Sequence, residues 1–372
     1  MTSKGIVTFA LSALGSTFVF GQGQAPQLPP APANGPMPSL QAPADPGYAD
    51  LVAKCKTPPP ARGARGGGGA GARGAAPARG AQPPQGAREY TVTAIPGVIA
   101  AGQTWKFIWQ EAGNNGDGIV GTNDGDLLLA QNDNSKVVKL DKNGKTSVVY
   151  SDTHTGGALS MSPKGTLFIN QRGLHQRIVQ LPQRKVLADN YQGDPLDCIG
   201  GVLNDLTADS KGGVYFTQGG VYYASPKGVV TKYGENVNPN GIILSANEKI
   251  LYVTNGPTLA AFDVQPDGSL TNQREFAKLE GGGGGDGSTI DAAGRIYVTT
   301  NPGVQVISPE GKYLGLIPTP RDVITTAFGG KDKKQLFILA RGAKDATGAE
   351  IANAAQVYTI QMIAAGYKGR AK

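Results

Sequence analysis

GDGIVGTNDGDLLLAQNDNSKVVKLDKNGKTSVVYS, residues 116–151, reads as four short β-strands joined by Gly-containing turns: GIVGT, DLLLAQ, KVVKLD and TSVVYS. Val, Ile and Leu recur with period two, and the turns are Asn-Asp-Gly and Lys-Asn-Gly, so each run fits a strand with a turn on either side. The second of these runs returns five more times along the chain. After GDLLLA from Gly125 come GTLFIN from Gly165, GGVYFT from Gly212, KILYVT from Lys249, GRIYVT from Gly294 and KQLFIL from Lys334. The spacing is roughly 37 to 47 residues, room for about four short strands each time, which is the signature of a β-propeller. The expected fold is all-β: a six-bladed β-propeller over residues 89–366. YTVTAIPG from Tyr90 and AAQVYTIQM from Ala354 are expected to share one sheet and close the ring, since an unclosed propeller would leave a long edge. Trp105, Phe107 and Trp109 alternate, as in a strand with one buried face.

Counting back ten or eleven residues from the first core residue of each repeated run gives Asp117, Gly157, Asn204, Asn240, Asp286 and Thr326. Equivalent positions on the innermost strands of a propeller point at one central channel. Four of the six are Asp or Asn, so the repeat predicts a ring of hard oxygen donors at Asp117, Asn204, Asn240 and Asp286, suited to Ca²⁺, Mg²⁺ or Mn²⁺, with Zn²⁺ as a further option. Asp-Gly and Asn-Gly are also ordinary turn pairs, and a chain with 55 glycines shows many. Their common phase is what turn chemistry does not require.

Ahead of the repeats lie two segments of different composition. Residues 1–21 carry Lys4 and then an apolar run from Gly5 to Phe20, which reads as a secretory signal peptide too short to span a membrane comfortably. The expected location is therefore secreted or periplasmic. Residues 22–88 are a Pro/Ala/Gly/Arg-rich leader, too poor in large apolar residues to fold and expected to be disordered and dispensable. Its one interruption, Tyr48 to Lys56, has the composition for a turn of helix or a docked segment. The formal net charge of +7 is concentrated here, with eight Lys or Arg against two Asp in residues 1–88. A basic leader without interleaved aromatic residues argues against a nucleic-acid partner. It fits an inert spacer or contact with anionic cell-envelope polymers. Residues 367–372 form a short basic tail.

Cys55 and Cys198 are the only cysteines. In an oxidising compartment they could pair, pinning the leader to the domain near the channel rim, and free thiols fit the sequence equally well. His154 lies on the loop before the second blade, where a side chain could act as a proton shuttle or meet a substrate. A lone loop histidine is more often solvated. His175 falls in GLHQRIV between Arg172 and Arg177, an outer turn or strand. No G-x-S-x-G elbow supports a serine hydrolase. The pentaglycine Gly281 to Gly285 reads as a loop of unimportant length or as a backbone nest for an oxyanion.

LNDLTADSKGGVYFT from Leu203, NPNGIILSANEKILYVTN from Asn238, GDGSTIDAAGRIYVTT from Gly285 and AFGGKDKKQLFI from Ala327 resemble, in order, the successive signatures of the SMP-30/gluconolactonase family of six-bladed propeller lactonases. The resemblance covers about Gly116 to Gly366. It implies one catalytic divalent cation in the channel and hydrolysis of a small-molecule lactone or related ester. On that resemblance Asn240 and Asp286 are metal ligands, Asn204 contacts metal or substrate, and Asp117 stands where the family has a Glu, with Glu111 as a nearby fallback. Asp286 is then the catalytic base, Asn204 orients the carbonyl, and His154 and Arg172 are substrate-binding candidates. Two departures concern the substrate: Val202 stands where some members have a sugar-gripping Arg, and FTQ with Gln218 replaces the usual FTD. A non-catalytic secreted propeller holding a structural metal is the competing reading, and a strictosidine-synthase or paraoxonase type shares the fold without these motifs.

Overall fold

The computed structural model describes residues 40–59, 87–111, 116–344 and 347–372. Six four-stranded antiparallel sheets follow one another around a central channel. The stretch 116–151 forms the first blade as Gly116–Gly121, Leu127–Gln131, Lys136–Leu140 and Thr146–Tyr150. The innermost strands of the next four blades are Leu159–Met161, Leu206–Ala208, Pro239–Leu244 and Ser288–Ile290. All six repeated runs supply the second strand of a blade, from Leu127–Gln131 round to Gln335–Lys344.

Burial follows from how blades stack. A blade has neighbours on both faces, so its inner strands bury both sets of alternate residues, and Leu127–Gln131 is buried throughout. The outermost strand reaches past its neighbours, and Thr146–Tyr150 is almost wholly exposed. The core is accordingly divided into six apolar seams. One seam sets Val120, Leu128 and Ala130 of blade one against Leu159, Ile169 and Val179 of blade two. Another sets Tyr215 and Tyr223 of blade three against Ile242, Leu251 and Phe262 of blade four. Removing water from apolar area at about 25 cal/mol per Å² makes these seams the main stabilising term.

Ring closure differs in detail from the sequence expectation. Blade six takes Val323–Gly329, Gln335–Lys344 and Glu350–Gln361 from late in the chain, and its fourth, outer strand is Lys106–Glu111. The Tyr90 segment is not that strand. Pro96-Gly97, with Gly97 at φ 69°, turns it back on itself through the Ile95–Ile99 bridge. It then packs Val92, Ile95 and Val98 against the seam between blades five and six. Tyr90 ties the two segments together, its hydroxyl accepting the Trp105 N–H at 2.9 Å. A bulge between Phe107 and Trp109 breaks the aromatic alternation. Phe107 packs edge-on against Tyr358 in one seam, and Trp109 joins the next.

Two flanking segments pack on the propeller. Residues 40–59, which composition places in the leader, include a helical turn Tyr48–Val52. Ala42 donates to the Arg172 carbonyl at 2.7 Å, Tyr48 donates to the Asp197 carbonyl at 3.2 Å, and Cys55 is disulfide-bonded to Cys198. Docking and pairing occur together because the bond fixes the segment where its few buried groups, Ala42 and Cys55, can reach the rim. The signal-peptide reading of residues 1–21 and the leader residues 22–39 and 60–86 lie outside the described residues. Among the described residues no helix is long and apolar enough to cross a membrane.

The second segment is Met362–Lys372. It crosses one end of the channel, pairing Gly366 with Asp291 of blade five and Ala371 with Met161 of blade two. Arg370 donates to the carbonyls of Leu244 and Ser245 in blade four.

Candidate functional site

The innermost strands converge too closely for side chains everywhere, and this decides which residues can stand at the centre. A Cβ on Gly118 would lie under 3.0 Å from the backbone of Gly157 and Leu159, one on Gly241 equally close to the Asp286 carbonyl, and one on Gly287 equally close to Thr325. None of these three glycines has a positive φ. The Asp-Gly and Asn-Gly pairs of the ring are therefore not turn pairs: the glycine lets two blades touch and the preceding residue faces the channel. Gly241→Ala is expected to cost about 1–3 kcal/mol by overpacking. Gly283→Ala, where a Cβ meets nothing within 4 Å, is expected to be neutral, and paired thermal melts check both.

The ring assembles at one cavity lined by Asp117, Asn204, Asn240 and Asp286, together with Ala158, Asp205, Gly287, Ile324, Thr325 and Lys372. The side chains of Asn204 and Asn240 touch, Nδ2 of the first donating to Oδ1 of the second at 2.5 Å. A repeated bond shows the blades in phase. Asn170 Nδ2 donates to the Asn204 carbonyl at 2.8 Å, Thr217 Oγ1 to the Asn240 carbonyl at 2.6 Å, and Thr299 Oγ1 to the Ile324 carbonyl at 3.0 Å. Each is the end of a second strand reaching the channel residue of the next blade. The sixth channel position is thus Ile324 and not Thr326, whose hydroxyl is turned into its own blade onto the Phe337 carbonyl at 2.8 Å. Seven residues separate the paired Phe328 and Leu336, against five between the paired Gly121 and Leu127 of blade one, so the count slips by two.

Two cations stand against the ring. Arg172 is ion-paired with Asp117 and donates to the Asn204 carbonyl. Lys372 reaches up from the crossing segment: its ammonium meets Asp205 Oδ2 at 2.5 Å and the Ile242 carbonyl. Burial pushes its pKa below the usual lysine range, and Asp205 pulls against that shift. Asp205 also accepts the Ile242 N–H at 2.9 Å, joining blades three and four. Sequence reasoning missed Lys372 and Asp205. The only signals were the Asp next to Asn204 and the spacing of Arg370 and Lys372, and neither says that a tail enters a channel.

Other sequence candidates sit elsewhere. Glu111 is on the outer strand of blade six, engaged by Gln131, Asn134 and Lys136, and does not line the cavity. His154 is an exposed residue with φ 52°, and its carbonyl accepts the N–H groups of Arg172 and Gly173, each at 3.0 Å. Its pKa is lowered by desolvation and then by the charges of Arg177 and His175. His175 occupies the turn between two strands of blade two and donates its N–H to Asp197 at 3.2 Å. Gln218 is buried and donates to the Leu196 carbonyl at 2.9 Å. Gly285, last of the pentaglycine, is packed between Leu279, Thr254 and Val298, so that end of the run has a fixed course.

Residues 115–341 match the family described as the SMP-30/gluconolactonase/LRE-like region. The chain belongs to that family. The matched span holds every oxygen donor of the ring, and leaves out Cys55 and Lys372. Among curated relatives, the gluconolactonase of Zymomonas mobilis is 28% identical over 216 residues, 49% of this chain and 60% of the relative. The lactonase drp35 of Staphylococcus haemolyticus is 29% identical over 256 residues, 62% of this chain and 74% of the relative. The chain thus spans less than two thirds of the Zymomonas protein. In fold it is similar to a solved gluconolactonase of Xanthomonas campestris, with a TM-score of 0.62 at 20% identity, covering 77% of this chain and 99% of that one.

SMP-30/gluconolactonase membership raises the question of a divalent cation, and the residues present fit one. The two carboxylates and two amide oxygens of the ring line one cavity, with a third carboxylate, Asp205, paired to Lys372 and no His or Cys among the lining residues. That donor set favours hard cations over zinc. Among the described residues no group of three His, Cys, Asp or Glu forms a metal cluster, as expected where half the donors are Asn.

Proposed function

We propose that this protein is an exported lactonase that uses one divalent cation, Ca²⁺ first and Mn²⁺, Mg²⁺ or Zn²⁺ as alternatives, to open a small-molecule lactone or related ester. The observation that carries the reading is the convergence of Asp117, Asn204, Asn240 and Asp286 from four blades on one cavity. Curated relatives named gluconolactonase and lactonase support the reaction class, and the Cys55–Cys198 disulfide supports an oxidising compartment.

Asp117, Asn240 and Asp286 would hold the cation, with Asn204 beside them. When bound, it would polarise the lactone carbonyl and offset the negative charge that develops there. The chain's own groups account for the proton transfers. Asp286 accepts a proton from water as the water oxygen bonds to the acyl carbon. The ring C–O bond then breaks, the departing oxygen takes that proton back, and the product is the open hydroxy acid. Asn204 spends one N–H on Asn240, and its second N–H would orient the substrate carbonyl or ring oxygen. His154, exposed at the rim, would meet substrate only as it enters.

The test is a lactone panel assayed by acid release after chelation and after adding back Ca²⁺, Mn²⁺, Mg²⁺ and Zn²⁺ separately. Hydrolysis is expected to vanish on chelation and to return with at least one cation. No turnover of any lactone under any of these conditions would favour the non-catalytic propeller.

A further inference from the structure

Arg172 lies where the ring lacks a donor. Blade two contributes Gly157 at its channel position, and a Cβ there would fall under 3.0 Å from Cζ, Nε and Nη1 of the Arg172 guanidinium. The glycine is the space in which the guanidinium lies. Arg172 enters directly after the second strand of its own blade, Leu167–Gln171. Both its backbone groups are fixed: the N–H donates to the His154 carbonyl at 3.0 Å, and the carbonyl accepts the Ala42 N–H at 2.7 Å. Its side chain is only 4% exposed, so a substrate has little access to it.

The guanidinium spans the gap from blade one to blade three. It pairs with Asp117 on one side and donates to the Asn204 carbonyl on the other. Asn132 adds a third anchor in the amide orientation that satisfies both of its ends, accepting from Arg172 Nη1 at 3.3 Å while donating to the Gly156 carbonyl at 2.9 Å. A planar fork with several donors in fixed directions can make such a bridge, and an ammonium cannot.

We propose that Arg172 is a positioning residue for the cation site. It holds one oxygen of Asp117 so that the shorter carboxylate presents its other oxygen to the channel, and Gly157 is the cavity that admits it. This rests on the ring being a cation site. Asp117 is one methylene shorter than Glu, so its reach is fixed by its rotamer, and an outer partner that locks a ligand's rotamer typically contributes 10–100-fold in metal affinity. The opposite effect is also physical, because a guanidinium beside a dication repels it. The two readings predict affinity changes of opposite sign.

The experiment titrates Ca²⁺ and Mn²⁺ calorimetrically into wild type, Arg172→Ala, Arg172→Lys and Gly157→Ala, with a thermal melt of each. Arg172→Ala is expected to bind at least tenfold more weakly, with partial recovery in free guanidinium ion, which a purely structural defect would not show. Arg172→Lys is expected to stay weak. Gly157→Ala keeps the guanidinium but displaces it, and is expected to match Arg172→Ala, with no further loss in the double variant. Unchanged or tighter binding by a folded Arg172→Ala overturns the proposal. Absence of binding by wild type removes the cation reading itself and this inference with it. If Arg172→Ala does not melt cooperatively, Gly157→Ala decides, and wild-type affinity there counts against the proposal.

Discussion

Asp286→Asn is expected to lower lactone hydrolysis by about 10² or more while leaving a cooperative fold, because general-base assistance contributes typically 10²–10⁴. The substitution keeps an oxygen donor in the ring and removes the group that accepts the proton. Its position makes the fold insensitive. The Asp286 backbone is held by its N–H to the Thr299 carbonyl at 2.9 Å, and the residue is only partly buried at the cavity, outside the apolar seams. Calorimetry with Ca²⁺ or Mn²⁺ is expected to show weakened but measurable binding. Rates on the most reactive lactone of the panel give the catalytic readout. Full activity in the Asn variant would falsify the base assignment, and total loss of cation binding would make Asp286 a ligand first. Asp286→Ala, which removes both functions, is expected to be inactive and still folded.

What was legible in the sequence follows from which interactions are local. Period-two strands and Gly turns are written within a few residues of each other, so the blade plan at 116–151 could be read directly. The channel ring could be read because a repeat converts sequence phase into spatial equivalence. It failed only at blade six, where the turn between the paired Phe328 and Leu336 is two residues longer than its counterpart in blade one and the channel position is Ile324. Strand Lys106–Glu111 was harder. Its partner lies some 250 residues away in Glu350–Gln361, and the Tyr90 segment has an equally β-like composition. Lys372 could not be read at all, since a lysine is buried only when tertiary structure brings a carboxylate such as Asp205 to it. Arg172 was visible as a residue but not as a partner of Asp117. The link is the absent Cβ of Gly157, which becomes informative only once the strands are in place.

Cys55→Ser/Cys198→Ser is expected to lower global stability by roughly 3–5 kcal/mol. The bond closes a span of 143 residues, and in the chain-entropy model a loop of that length restricts the unfolded state by about 5 kcal/mol, an upper figure because undocking of residues 40–59 restores some freedom to the folded state. Composition alone made this part of the chain dispensable. The structure changes the expectation, because Ala42 holds the Arg172 carbonyl and Tyr48 holds the carbonyl of Asp197 beside Cys198. Loss of the disulfide is therefore expected to act at two levels. Denaturant melts should show the global loss, and trypsin should cut more readily after Lys54 and Lys56, which flank Cys55. A comparison separates the anchored piece from the rest of the leader. Deleting residues 60–86 is expected to leave the melting temperature nearly unchanged, whereas deleting 40–59 is expected to reproduce the double serine variant. Equal stability of wild type and double variant under oxidising conditions would show that the disulfide contributes nothing to the fold.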